Sequence, residues 1–330
     1  MINFIDLSRS KQISLPSLTN EANSELSKGW SLSYVYFFRE LRDIYLLIEK
    51  YGYKNNSTLL DYCKKEKIYP MRKDVWTERN ILERANALKN FGLITIDGCV
   101  KDKIVFSTNF GDELDEKDML VFKNIFFKYF RFREILTWMI NPYELNRLKL
   151  IDDITEDYVI ENSKVIFPFI GDGRFTNSFF FELKDNSDVF FIKDKDSDLM
   201  RFWDVFVKWG ITLGIMDKFQ LKWVGIKTIP DFKSLTCLYV KKSISKDFSI
   251  IDFIKMNYRS SYIYIPELIM EIILKYRYSL VEIKELIVSQ CVENKELISM
   301  QRTSEIFVEE KEKILLPMHR NSYISHLLLL

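Results

Sequence analysis

Between Ser31 and Lys50 the apolar residues Val35, Phe38, Leu41, Ile44, Tyr45, Leu47 and Ile48 recur every three or four positions, and Gly52 follows. The spacing predicts a helix with one buried stripe and a glycine stop. Ahead of it, residues 1–30 are polar and irregular, with Pro16 among several Ser and Asn, and read as an extended lead-in. A second helix is predicted through LLDYCKKEK, capped by Ser57 and Thr58 with Asp61 and broken by Pro70. A third covers DVWTERNILERANALKNFG, with Asp74 as its cap and Gly92 as its terminator. Directly after it, LITIDGCVKDKIVFS has the pattern of a strand, a tight turn at Asp97-Gly98 and a second strand.

Past the acidic bridge GDELDEKD, the run DMLVFKNIFFKYFRFREILTWMI has helical spacing with aromatics on nearly every side. It predicts one helix of about six or seven turns, ended by Asn141-Pro142. Such a helix is either an internal strut or offers a face to another subunit, a second copy included. KVIFPFI from Lys164, FTNSFFFEL from Phe175 and VFFI from Val189 predict a small antiparallel sheet. A helix from Ser197 through LMRFWDVFVKWGI sets Leu199, Phe202, Trp203, Phe206 and Val207 inward, with Gly210 or Gly214 as C-cap; the stretch to Lys242 has no clear period.

In the last third, Pro266 opens the helix ELIMEIILKYR, and Ser279 with Glu282 reads as a capping box for LVEIKELIVSQCVEN. ELISMQRTSEIFVEE and ILLPMHRNSYISHLLLL then supply strands, and Leu327 to Leu330 call for apolar cover. The predicted class is α+β, with domains at 31–112, 113–245 and 246–330.

Composition narrows the chemistry. With 26 Phe, 17 Tyr and 6 Trp but only 10 Gly and 7 Pro, the chain has a large core to bury and is neither disordered nor fibrous. Its 48 basic and 47 acidic residues nearly cancel, so a nucleic-acid site must be a local patch on a neutral body. Cys63, Cys99, Cys237 and Cys291 form no C-x-x-C pair, which speaks against a zinc site and for a reduced cytosol. MINFIDLSRSKQ has no secretory pattern, and Lys123, Lys128, Arg131, Arg133 and Glu134 interrupt the apolar run Val121 to Ile140, so no membrane partner is expected. Only His319 and His326 are available for a histidine-based triad, and neither phosphate-binding glycine motif occurs. No cofactor and no metal are expected. Richness in Ile, Lys, Asn, Phe and Tyr fits an AT-rich, bacterial or mobile-element genome.

The order helix, helix, helix, hairpin, and above all the run TERNILERANALKNFGLITI, resembles the winged helix-turn-helix superfamily over residues 31–110. The resemblance implies that the third helix is the one presented to DNA. On a 100° wheel Ile81, Leu82, Ala85 and Leu88 share one face, Trp76, Asn80, Glu83 and Asn90 the other, and Arg79, Arg84 and Asn86 the flanks. Arg79 and Asn80 are the strongest candidates for base or phosphate contact, since both side chains can bond base edges bidentately. Between Tyr62 and Asn90, eight basic residues (Lys64, Lys65, Lys67, Arg72, Lys73, Arg79, Arg84, Lys89) face four acidic ones, a net of +4. Lys101 and Lys103 extend that patch onto the hairpin as a wing. The expected site is therefore Lys64, Lys65, Lys67, Arg72, Lys73, Trp76, Arg79, Asn80, Arg84, Lys101 and Lys103. Residues 250–330 resemble a winged helix more weakly, because the three-helix order is incomplete and the last helix carries Glu282, Glu285 and Glu293 against Lys284 alone.

These features describe a DNA-binding, non-catalytic subunit of a cytoplasmic bacterial protein complex, with DNA and one or more proteins as partners. A protein-docking adaptor built from the same modules is the first alternative. A metal-dependent nuclease is the second, because Asp172 with Glu182-Leu183-Lys184 has the spacing of a restriction-endonuclease site.

Overall fold

The computed structural model describes residues 11–13, 32, 34–72, 75–95, 97–101, 104–140, 155–170, 176–181, 189–192, 197–222, 234–303 and 313–330. In chain order the helices are α1 (Phe38–Tyr51), α2 (Asn56–Lys65), α3 (Glu78–Asn90), α4 (Glu116–Lys128), α5 (Phe130–Ile140), α6 (Glu156–Asn162), α7 (Ser197–Thr212), α8 (Ile250–Asn257), α9 (Ile265–Tyr276) and α10 (Leu280–Glu293). The strands are β1 (Lys11–Ile13), β2 (Ile166–Ile170), β3 (Thr176–Phe181), β4 (Val189–Ile192), β5 (Met216–Lys222), β6 (Ser234–Val240), β7 (Tyr262–Tyr264), β8 (Ile298–Thr303), β9 (Met318–His319) and β10 (Ser322–Leu329). The protein is α+β. Two compact units emerge, neither continuous in sequence: Leu15–Val159 with Asp194–Gly214, and Met1–Ser14 with Ile160–Lys193 and Ile215–Leu330. The stretch 113–245, expected as one domain, is thus divided between them.

The first unit is built on aromatic packing. Trp209 on α7 is fully buried, sits edge-on to Phe38 at 4.6 Å, tilts against Phe132 at 5.4 Å and donates its indole N–H to the Val35 carbonyl at 2.8 Å. The single long aromatic helix expected here is in fact two, α4 and α5, parted at Tyr129, whose backbone is extended (φ −67°, ψ 118°). The physical reason lies in its rings. A straight helix with aromatics all round cannot bury them in one direction, and the break lets Tyr129 meet Phe91 at 5.0 Å and Phe132 at 5.1 Å.

In the second unit, β2, β3 and β4 form the expected antiparallel strands within a sheet of order β1-β4-β3-β2-β6-β5, in which β1 joins β4 in parallel. The stretch without a clear period contains β5 and β6, which pair antiparallel with Met216 facing Val240. A second sheet has the order β7-β10-β8, with β9 also on β10. Leu268, Ile272, Ile283, Ile287, Ile324 and Leu327 from α9, α10 and β10 share one core, so the leucine-rich end is covered except at exposed Leu330. The expected capping box of α10 is not formed. Ser279 makes no side-chain cap; the Asp217 carboxylate accepts the Leu280 N–H at 2.8 Å, and Glu282 instead accepts from the Ile244 N–H at 2.7 Å.

Candidate nucleic-acid interface

The helices α1, α2 and α3 pack on one another through Leu41, Ile44 and Ile48 of α1, Leu59 and Cys63 of α2, and Ile81, Ala85 and Leu88 of α3. Their caps differ from those expected. Asn55 caps α2 by accepting the Thr58 N–H at 2.8 Å, ahead of the Thr58 and Asp61 pair. Thr77 caps α3 by accepting the Asn80 N–H at 3.2 Å, while Asp74 lies outside the described residues. The hairpin after α3 is shorter than expected. Gly98 turns the chain at φ +79°, where a Cβ would overlap the Tyr53 ring, and among the described residues the ladder is one bridge, Ile94 with Val100, flanked by the Thr95 N–H to Cys99 carbonyl and Lys101 N–H to Leu93 carbonyl bonds. Residues 104–106, expected as a strand, carry no ladder; the Ile104 N–H is held by the Tyr45 hydroxyl at 2.9 Å.

Two of the expected contact residues are interior. Trp76 is 6% exposed and donates its indole N–H to the Ile68 carbonyl at 3.0 Å. It precedes α3, so the 100° wheel that turned it outward does not apply to it. Arg84 lies inside the three-helix cluster, gripping Glu40 Oε2 through Nε at 2.9 Å and Nη2 at 2.6 Å, and reaching Glu83 at 3.1 Å and the Tyr34 carbonyl at 3.1 Å. Glu40 Oε1 completes the set by accepting the Met71 N–H at 2.9 Å. Both side chains shape the surface from behind. Leu82, expected inside, is instead exposed, because it stands 100° round the helix from Ile81.

The outward stripe of α3 is therefore Arg79, Leu82 and Asn86, a spacing of three and four. Arg79 has a side chain 75% exposed and a 3.4 Å approach to Glu83. Asn80 is half-buried and shares its Oδ1 with the Thr77 hydroxyl at 2.7 Å, which leaves its NH2 as the freer end for a base edge. The exposed cations Lys64, Lys65, Lys67 and Arg72 line the end of α2 and its exit, Arg72 sharing a cleft with Arg79, and Lys101 follows the hairpin turn. Lys64 approaches Asp61 at 3.6 Å, and the Lys65 ammonium sits 4.8 Å over the Tyr51 ring. Lys67 holds a left-handed backbone, φ +56°, that lets the Ile68 N–H close back on the Cys63 carbonyl at 2.9 Å. Lys73 and Lys103 lie outside the described residues.

Next to the N-terminal end of α3 opens a cleft of about 370 Å3 that sequence reasoning did not find. Tyr34, Tyr36 and Phe37 from the segment before α1 line it together with Arg72, Thr77 and Arg79. The Arg72 guanidinium lies 4.9 Å over the Phe37 ring, and Tyr34 meets Tyr36 edge-on at 6.3 Å. Burial, reinforced by Asp204, raises the Tyr36 phenol above its ordinary 10.0 and keeps it a neutral donor.

The nuclease candidates Asp172, Glu182 and Lys184 lie outside the described residues. Among the described residues no group of three or more His, Cys, Asp or Glu is placed to hold a metal ion. Burial pushes the Cys63 thiol up to about 12 and the Cys291 thiol to about 11, and raises Cys237 as well, so these are core groups. Among the described residues no helix is long and apolar enough to cross a membrane. No protein-family model, no curated protein and no solved structure matches this chain.

Proposed function

We propose that this protein is a non-catalytic subunit of a cytosolic prokaryotic complex, binding double-stranded DNA with its first unit and a protein partner with its C-terminal helices. One observation carries the reading: α3 turns Arg79 outward, Arg72 lines one cleft with it, and the end of α2 and its exit expose Lys64, Lys65 and Lys67. A helix fits the major groove, and cations beside it neutralise the flanking phosphates. Lys67 adds weight, since its left-handed backbone is one that glycine adopts at lower cost, yet the position holds a cation.

In this reading α1, α2, α3 and the bridged turn are a winged helix with a reduced wing. The order α8, β7, α9, α10, β8, β10, with β10 central in its sheet, supports a fuller winged helix at the C-terminus. There α8 and β7 supply the pieces that the sequence pattern lacked. The outward side of α10 presents Val281, Glu285 and Val292, an apolar and acidic face suited to protein rather than to phosphate.

The test is a combined variant, Lys64→Ala, Lys65→Ala and Lys67→Gly, in duplex-binding titrations at low salt. Each lost phosphate contact takes about 0.9 from the salt slope, so three take about 2.7, and affinity falls by an order of magnitude or more. Thermal stability does not fall, because glycine relieves the left-handed position. Unchanged duplex affinity would refute the proposal. Exposed Tyr69, Met71, Val75 and Leu82 favour a second reading, in which the same face docks a protein; duplex affinity absent at every salt concentration would leave that one standing.

A further inference from the structure

We infer that the cleft beside α3 is a pocket for one nucleotide, its base held against the tyrosines and its phosphate against the arginines. The inference deepens the reading of the adjoining surface as a DNA site by naming the unit recognised there. Its charge is the first argument. Among the described residues Arg72, Arg79 and Arg84 line the cleft with Glu40 and Glu83, three cations against two anions, a net charge of +1. Glu40 and Arg84 consume one another in the buried pair, and Glu83 is shared between Arg79 and Arg84. Arg72, stacked 4.9 Å over the Phe37 ring, has no carboxylate partner among the described residues and offers its guanidinium edge to a phosphate.

Shape and chemistry give the second argument. About 370 Å3 is room for a single nucleotide, and Tyr34, Tyr36 and Phe37 line it with rings of the kind on which bases stack whatever their sequence, one face of Phe37 taken by Arg72 and one face of Tyr34 by Arg201. The third is strain. Tyr34 is 39% exposed and adopts φ +59°, a conformation costly for a bulky side chain, and it is held there by Arg84 bonding its carbonyl at 3.1 Å. A buried ion pair thus fixes an aromatic ring at the mouth of a cationic cleft. In a duplex all bases are stacked, so the occupant is a free mononucleotide or an unpaired nucleotide of the bound strand.

The experiment uses the full chain with three probes: a blunt duplex, the same duplex carrying one unpaired nucleotide, and dAMP alone. Tyr34→Gly is the informative variant, because glycine accepts the left-handed backbone and removes only the ring, and Tyr36→Leu is its companion. The wild type is expected to bind the duplex with the unpaired nucleotide at least about fivefold tighter than the blunt one, or to bind dAMP, and Tyr34→Gly to abolish that gain without lowering the melting temperature. A preference for the unpaired nucleotide without dAMP binding identifies the strand as the source; dAMP binding without the preference identifies the free nucleotide. Blunt-duplex binding with neither signal, or a preference unmoved in both variants, overturns the pocket while sparing the DNA surface. Binding of dAMP that Tyr34→Gly abolishes, with no duplex affinity, sustains the pocket and refutes the surface.

Discussion

Arg84 shows how a residue read as a ligand of DNA can be spent on the fold. Its guanidinium and the Glu40 carboxylate are both buried, and the pair also ties α1 to α3 and to the chain near Met71. Replacing one partner strands the other charge in the interior, a loss of about 3–5 kcal/mol. Arg84→Met should therefore lower the urea midpoint sharply, and an unchanged midpoint would remove Arg84 from its structural role. His326 offers a test of the other unit. Burial lowers its imidazole below the ordinary 6.5, against the opposing pull of Glu267, and its ring stacks on Tyr262 at 4.5 Å. The folded chain then binds this proton less readily than the unfolded one, so the contribution is full above the unfolded value and is lost as pH falls from about 6.5 through the folded one. Between pH 6.5 and 5, wild-type stability should drop more steeply than that of His326→Gln; superimposable curves would contradict it.

At the level of elements, periodicity made most helices legible in the sequence, because a stripe such as Ile81, Ala85 and Leu88 reports its burial through local spacing alone. What stayed hidden depends on partners distant in the chain. The cap of α10 is the clearest instance, since Asp217 lies 63 residues from Leu280 and no local rule can pair them. Ser279→Ala should consequently change stability by less than about 0.5 kcal/mol, whereas Asp217→Ala should cost about 1–2 kcal/mol, read by chemical denaturation. Equal effects would place the cap back on Ser279. The same limit explains Arg84, whose wheel position is on a flank but whose partner comes from α1. It also explains the cleft, which needs the segment before α1 to meet the entry to α3. The break at Tyr129 escaped for a related reason: aromatics on all sides announce burial without saying where a helix must turn to achieve it.

At the scale of the molecule, charge balance hides the feature on which the proposed function rests. A net charge of +1 over the chain coexists with a local run of exposed cations at the end of α2 and the entry to α3. The two units divide labour in the proposed account, a cationic helical face for DNA in one and an apolar, acidic face of α10 for a protein in the other. That account stands on counterion release, which makes log affinity for a duplex fall linearly with log salt. The direct measurement is the affinity of the full chain for a duplex over a series of salt concentrations. If Lys64, Lys65, Lys67 and Arg72 each meet a phosphate, as the account holds, log affinity should fall against log salt with a slope near −3.6, and a flat response at micromolar protein would contradict the account.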